Sequence, residues 1–292
     1  MRGSRMKTSR MRRPALLVAL PLLAACGGRP PPPATTPPAR VVSLAPSITE
    51  IVYALGAGDR LVGVCAQCDY PAAAARLPRV GGYLVPSVEA VVAARPDVVL
   101  VVPSPGNRDA VRAVEQAGVR VVVVQDRTLA DLWASMRAVG AALGLADVGE
   151  RLVADVQRRL EAVRERVAGL PPRRVLLVVG HTPLVVAGHG TLQDELVSAA
   201  GGVNVAGDTG GVWPQISLEL VVARAPEVIV DAAMGTEEGR HDLFAGLATV
   251  PAVRDGRVVA FAGEAIFRAG PRVPDAARAL AAAIHPEAFG AG

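Results

Sequence analysis

One stretch of this sequence occurs twice. Residues 87–101, SVEAVVAARPDVVLV, and residues 217–231, SLELVVARAPEVIVD, align without a gap and share Ser, Glu, Val, Val, Ala, Pro and Val at seven of fifteen positions. Self-similarity of this kind marks one supersecondary unit used twice. Each copy reads as a short helix capped by Ser, a Pro that ends it, and a β-branched run suited to a strand buried on both faces. The surroundings agree. RVVSL at 40–44 and RVLLV at 174–178 open the two halves as strands, and GVRVVVV at 118–124 resembles GRVVAF at 256–261 near their ends. The pattern predicts an α/β chain of two similar lobes, each built on a parallel sheet.

Between the copies lies the longest helical pattern, DVGERLVADVQRRLEAVRERVAG at 147–169. Leu152, Val156, Leu160, Val163 and Val167 recur at spacings of three and four, so they form one apolar stripe and leave Arg151, Asp155, Arg158, Arg159, Glu161 and Arg164 to water. Asp147 with Glu150 suits an N-terminal capping box, and Gly169 before Pro171 and Pro172 supplies a stop. At about 1.5 Å per residue the helix is long enough to reach both lobes.

The N-terminus is of another kind. Residues 1–13 carry six Arg or Lys and no acid, 15–25 form an apolar run too short to span a bilayer, and Leu23-Ala24-Ala25-Cys26 follows. This reads as an export signal ending in a lipobox. Its resemblance to bacterial lipoproteins implies that Cys26 becomes an acylated N-terminus on a membrane surface; an ordinary cleaved signal is the alternative. Without the six cations the chain keeps 25 basic and 27 acidic residues, about −2, so its +4 belongs to the leader and no nucleic-acid patch remains. Residues 27–39, GGRPPPPATTPPA, suit an extended spacer. The expected organisation is a signal at 1–25, lipidated Cys and linker at 26–39, a first lobe at 40–127, connecting helices at 128–170 and a second lobe at 171–286.

Ligands of open α/β sheets bind at loops after the carboxyl ends of strands. In the first half these are 43–49, 65–70, 81–83 and 103–107; in the second they are 181–190, 210–213, 232–238 and 263–268. Aromatic residues make up 3% of the chain, yet Tyr70, Tyr83, Trp213 and Phe267 all fall in these loops and offer flat walls to a planar ligand. Trp213 and Tyr83 are expected to face the ligand, whereas Tyr70 and Phe267 fit either the ligand or the core. Gln67, Glu264 and Arg268 belong to the same set. Cys65 and Cys68, in CAQC, suit a local disulfide in an oxidising compartment, with free thiols or a redox motif as alternatives. His181 directly follows a buried strand and is read as a hydrogen-bonded cleft histidine or as a contact to a metal held inside a macrocycle. Four histidines scattered through 292 residues make no cage, so no metal held by the protein alone and no intrinsic cofactor are expected. No nucleophile, zinc-protease or phosphate-loop motif appears, which argues against an enzyme. Glu89 and Glu219 occupy the same place in the repeat, beside a Ser cap: either they answer a helix dipole or they form two matching acidic prongs for a symmetric partner.

Several segments together, RVVSLAPSITE at 40–50, 64–71 ending in Asp-Tyr-Pro, Trp213-Pro-Gln-Ile-Ser with Glu219, and Phe267-Arg-Ala-Gly-Pro-Arg272, resemble the helical-backbone (class III) periplasmic substrate-binding proteins of ABC importers. Within the iron–siderophore, haem and cobalamin group the chain is most similar to the vitamin B12-binding branch. The resemblance implies a monomeric receptor whose two β/α lobes are joined by a backbone helix, hold a ligand in the cleft between them and close little on it. It implies that the ligand is a corrinoid, with haem or a ferric siderophore as the alternative, and that Trp213, Tyr83 and Glu264 touch it. It further implies that Glu89 and Glu219 meet arginines of a permease dimer working with its ATPase subunits. The lining departs from the pattern where Gln67 replaces a tyrosine, where Val186 stands for a phenylalanine, and where the loop at Pro103 lacks a tryptophan. The remaining reading from another class is an exported thiol oxidoreductase using Cys65 and Cys68.

Overall fold

The repeated stretch folds the same way twice in the computed structural model, which describes Gly3 and residues 37–233, 242–261 and 264–290. The leader, Cys26 and most of the Pro-rich spacer lie outside the described residues. The first half runs β1 (Val41–Ser43), α1 (Pro46–Ala54), β2 (Leu61–Val64), α2 (Val88–Ala93), β3 (Val98–Val101), α3 (Arg108–Gln116) and β4 (Arg120–Val123). Two helices follow, α4 (Leu129–Ala142) and α5 (Ala146–Val167). The second half runs β5 (Arg173–His181), β6 (Leu184–Val186), α6 (Leu192–Ala199), β7 (Gly202–Asn204), α7 (Leu218–Arg224), β8 (Val228–Asp231), α8 (Asp242–Ala245), α9 (Pro251–Arg254), β9 (Val258–Ala260), a 3-10 turn (Glu264–Phe267), α10 (Val273–Ile284) and α11 (Pro286–Phe289).

The first sheet has the order β2-β1-β3-β4 and is parallel throughout. In the second, β7 and β8 flank β5 in parallel and β9 extends β8, while β6 pairs with β5 antiparallel. The central strands are parallel as the pattern predicts, and the one antiparallel strand, β6, has a steric reason. Only Thr182 and Pro183 separate β5 from β6, too few residues for a crossover, so the chain turns back as a hairpin.

In β3, Val98 and Leu100 face a core common to both halves while Val99 and Val101 face a core private to the first. In β8, Val228 and Val230 face the common core and Ile229 the private core of the second. The alternation is in phase in the two copies, which explains why both runs are apolar at every position except Asp231. Ser87 and Ser217 cap α2 and α7 by accepting the amides of Ala90 and Leu220, as the repeat predicts.

Helix α5 presents Gly149, Val153, Val156, Leu160, Val163 and Val167 to the common core, while Leu152 is half-buried at its margin. It packs on α4, α6 and α10. Its start differs from expectation: Leu145 is the cap residue and no side chain caps it, so Asp147 lies inside the first turn, and Glu150 instead pairs with Arg137 of α4 at 2.9 Å. The cause is the tight α4–α5 reversal through Gly144 (φ 72°), where a Cβ on Gly140 would stand 3.1 Å from Gly149 Cα. Two glycines let the helices approach there, and the chain reversal takes the place of a side-chain cap. At the other end the stop is as read, with Gly169 at φ 82°. Among the described residues no helix is long and apolar enough to cross a membrane.

Candidate functional site

The carboxyl ends of the first sheet and the 3-10 turn of the second half enclose a cavity of about 610 Å³, to which Gln67, Tyr83, Asp126, Glu264, Phe267 and Arg268 contribute. A neighbouring space of about 500 Å³ shares Asp126 and Phe267 and adds Trp213, Arg127, Asp131 and Gln193. The two spaces are one cleft with Asp126 and Phe267 at its middle. Of the residues singled out in the sequence, Tyr83, Gln67, Glu264, Phe267 and Arg268 meet in the first space, and Trp213 stands in the second, 44% exposed.

The first wall is built from a short loop. Cys65 and Cys68 are joined by a disulfide and both are fully buried. Their carbonyls accept from Arg79 at 2.9 and 2.7 Å, and the loop they close aims the Gln67 side-chain oxygen at the Tyr83 amide, 2.9 Å away. On the other side the fully buried Asn107 donates to the carbonyls of Val102 and Tyr83. Tyr83 is thus held from both sides. Burial, and next the charge of Asp126, push its phenol up to about 12. The thiol-exchange reading falls on the same geometry, because sulfurs with no exposure offer no line of attack to an outside thiol.

The second wall is anchored by charge. Glu50 of α1, 4% exposed, receives a two-pronged contact from Arg272 at 2.9 and 2.5 Å and a longer one from Arg268 at 3.5 Å. Arg268 also donates to Asp69 at 2.6 Å, to the Gln67 carbonyl at 3.4 Å and to Glu264. Its hydrogen bond holds the Asp69 carboxyl below its usual range. A Cβ on Gly270 would stand 3.2 Å from the Glu50 carboxylate, so this glycine gives the carboxylate room. Arg268 lines the cleft, but its guanidinium is taken up by acids of the protein. A part of the site that sequence reasoning missed is therefore Glu50, which lay inside the quoted 40–50 segment; an acid in an otherwise apolar helix face was its only signal.

Three expectations change. Tyr70 lines neither space: it is 45% exposed and its ring lies under the Arg272 guanidinium, 3.8 Å from centroid, because a cation is held there by Glu50. It plugs no core either. Among the described residues His181 lines neither of these two spaces, and its Nε2 lies 3.0 and 2.9 Å from the two oxygens of the buried Asp231. Val186, where the family pattern has phenylalanine, is fully buried in the private core of the second half. Part of the 232–238 loop, and Gly263, lie outside the described residues. Among the described residues no group of three metal-ligating side chains comes together.

Glu89 and Glu219 are exposed on α2 and α7, each in the first turn beside its cap. The Ser87 hydroxyl donates to Glu89 at 3.1 Å, and the equivalent hydrogen bond from Ser217 pulls the Glu219 carboxyl down.

A family model described as periplasmic binding protein matches residues 41–265, which takes in both sheets and the helix between them. The chain belongs to the periplasmic binding protein family. It is 30% identical over 237 residues to the vitamin B12-binding protein of Vibrio cholerae, covering 81% of this chain and 86% of that one. The solved structure of that species' periplasmic vitamin B12-binding protein superposes with a TM-score of 0.76 at 29% identity, over 87% of this chain and 99% of the other. An uncharacterised ABC transporter substrate-binding lipoprotein of Bacillus subtilis is 30% identical over 261 residues, 86% of this chain and 82% of its own. The periplasmic haem-binding protein of Roseiflexus sp. RS-1 in apo form superposes with a TM-score of 0.77 at 33% identity, over 85% and 98%. The two-lobed fold is that of these binding proteins. As a periplasmic binding protein the chain is a solute receptor of the vitamin B12, haem and siderophore group working with an ABC transporter, and not an enzyme.

Replacing Glu50 with Ala leaves the half-buried Arg272 without its carboxylate, while Arg268 keeps Asp69 and Glu264. The expected cost is about 2–3 kcal/mol of folding stability, read from urea denaturation. A loss below about 1 kcal/mol would show that the cluster is solvated and ties nothing together.

Proposed function

We propose that the chain is the receptor lipoprotein of an ABC importer that captures cobalamin or a related corrinoid and delivers it to the permease. The observation that carries this reading over haem is the fate, among the described residues, of three groups able to hold iron near the cleft. His181 Nε2 faces Asp231, both cysteines of the cleft wall are in a disulfide, and the Tyr83 phenol is pushed up to about 12 by burial and the charge of Asp126, which raises the cost of the phenolate that iron would take. A corrinoid brings a cobalt already ligated within its ring and asks only for shape and apolar walls, which Tyr83, Phe267 and Trp213 supply. Gln67 and Glu264 stand at the rim as polar contacts to the ring's side groups, with Arg268 holding Glu264 in place. Haem or a ferric siderophore is the second reading. It is favoured by the presence of a tyrosine in the cleft wall and by the haem-binding relative at 33% identity.

The rest of the reading follows from the sequence. Cys26 is the acylated N-terminus that holds the mature chain, a single copy per ligand, on a membrane at the periplasmic or outer cell face. Residues 27–39 are its spacer, and 40–127 and 171–286 are the lobes on either side of the connecting helices. Glu89 and Glu219, alike in position, cap and exposure, dock on the two halves of the permease dimer, whose twofold arrangement answers the duplication.

Isothermal titration of the full-length chain with cyanocobalamin should show one site, and Trp213→Ala should weaken it about tenfold or more, as expected for a large aromatic anchor. Haemin binding with a shifted Soret band and no corrinoid binding would move the assignment to haem. In vesicles carrying the permease and ATPase subunits, the Glu89→Ala, Glu219→Ala double variant should lose uptake with ligand affinity intact. Unchanged uptake would sink the docking assignment.

A further inference from the structure

The charged groups of the cleft are unequally committed. Arg268 is shared among Glu50, Asp69 and Glu264, so the cation nearest the ligand space is already neutralised by the protein, and Glu264 is neutralised with it. Asp126 is different. It lines both spaces of the cleft, and among the described residues it makes no side-chain hydrogen bond and no ion pair. Tyr83 and Asp131 are its titratable neighbours, and its carboxyl is pushed up by burial and then by the charge of Asp131. Asp131 in turn is committed to the capping box of α4, where Thr128 accepts its amide and it accepts the Thr128 amide. Arg127, next in sequence, is exposed and lines only the second space.

A half-buried acceptor without a donor is a standing cost that a ligand's N–H groups can relieve, whereas a ligand carboxylate placed beside it adds repulsion in a partly desolvated space. We propose that Asp126 is a specificity-determining residue of the cleft, selecting a ring whose edge carries primary amides or other N–H donors and rejecting one whose edge carries carboxylates. The assignment rests on the cleft being the site of a ring-shaped ligand, and it deepens that reading by naming which edge chemistry is admitted. Discrimination here comes as much from the repulsive element as from the attractive one.

The test uses rings that differ at the edge. Dicyanocobinamide carries primary amides, cobyrinic acid carries carboxylates on the same corrin, and haemin carries two carboxylates on another macrocycle. Full-length parent and Asp126→Asn chains are titrated with all three. The parent should prefer cobinamide to cobyrinic acid by at least about tenfold, and Asp126→Asn should narrow that preference by about tenfold, with cobyrinic acid and haemin both bound more tightly. An unchanged preference in Asp126→Asn overturns the role of Asp126 and leaves the corrinoid reading standing. Haemin binding alone by the parent overturns the corrinoid reading; tighter haemin binding by Asp126→Asn then upholds the charge selection, and equal binding overturns it. A parent that binds none of the three overturns both. Asp126→Ser serves the same comparison if the Asn variant melts early.

Discussion

A single buried carboxylate decides how the two halves meet at the cleft. Glu50 leaves α1 of the first half and is met by Arg268 and Arg272, which follow the 3-10 turn of the second, 218 and 222 residues away. Burying such an acid without partners is prohibitive, so the two guanidiniums are required once Glu50 is placed in the common core. Their position then fixes much else. Arg268 reaches on to Asp69 and the Gln67 carbonyl and so ties down the disulfide loop, and Arg272 draws Tyr70 away from the cleft by covering its ring. A second tie lies nearby, where Glu195 of α6 accepts the Leu129 amide at the start of α4, 2.5 Å away. With α5 packed along the common core, the halves are joined by a helix, an ion cluster and a capped helix end. Each of these would have to break for a wide opening.

That rigidity would suit the rigid, flat ligand proposed above. The walls are held from behind rather than by the ligand: Tyr83 by Gln67 and Asn107, Phe267 by the common core, and Glu264 by Arg268. Binding then needs little ordering of the protein, which keeps the entropic cost low. The in-phase duplication sets Glu89 and Glu219 in equivalent places, each in the first helical turn beside its Ser cap.

Much of this was legible in the sequence because it depends on local spacing. The repeat gave the strands, the Ser caps and the acids beside them, and the three–four spacing gave α5 apart from its first turn, where Gly140 and Gly149 pack too closely for the Asp147 cap to be used. The site was only partly legible. Loop positions after strands brought Tyr83, Gln67, Glu264, Phe267, Arg268 and Trp213 to one cleft, since topology alone puts such loops together. Pairings across more than two hundred residues leave no spacing signal, so nothing in the sequence marks Glu50 as the partner of Arg268 and Arg272 or sets Tyr70 under the Arg272 guanidinium. Asp126 follows β4 in no motif at all, and only the cleft's shape singles it out.

The proposed ligand lies between the halves, against Trp213. The chain has two tryptophans, Trp133 and Trp213, so Trp133→Phe leaves Trp213 as the sole indole emitter. Titrating that variant with cyanocobalamin, which absorbs where tryptophan emits, should quench the emission to saturation at one ligand per chain. Binding seen by calorimetry with the Trp213 emission unchanged would put the ligand elsewhere and contradict the account.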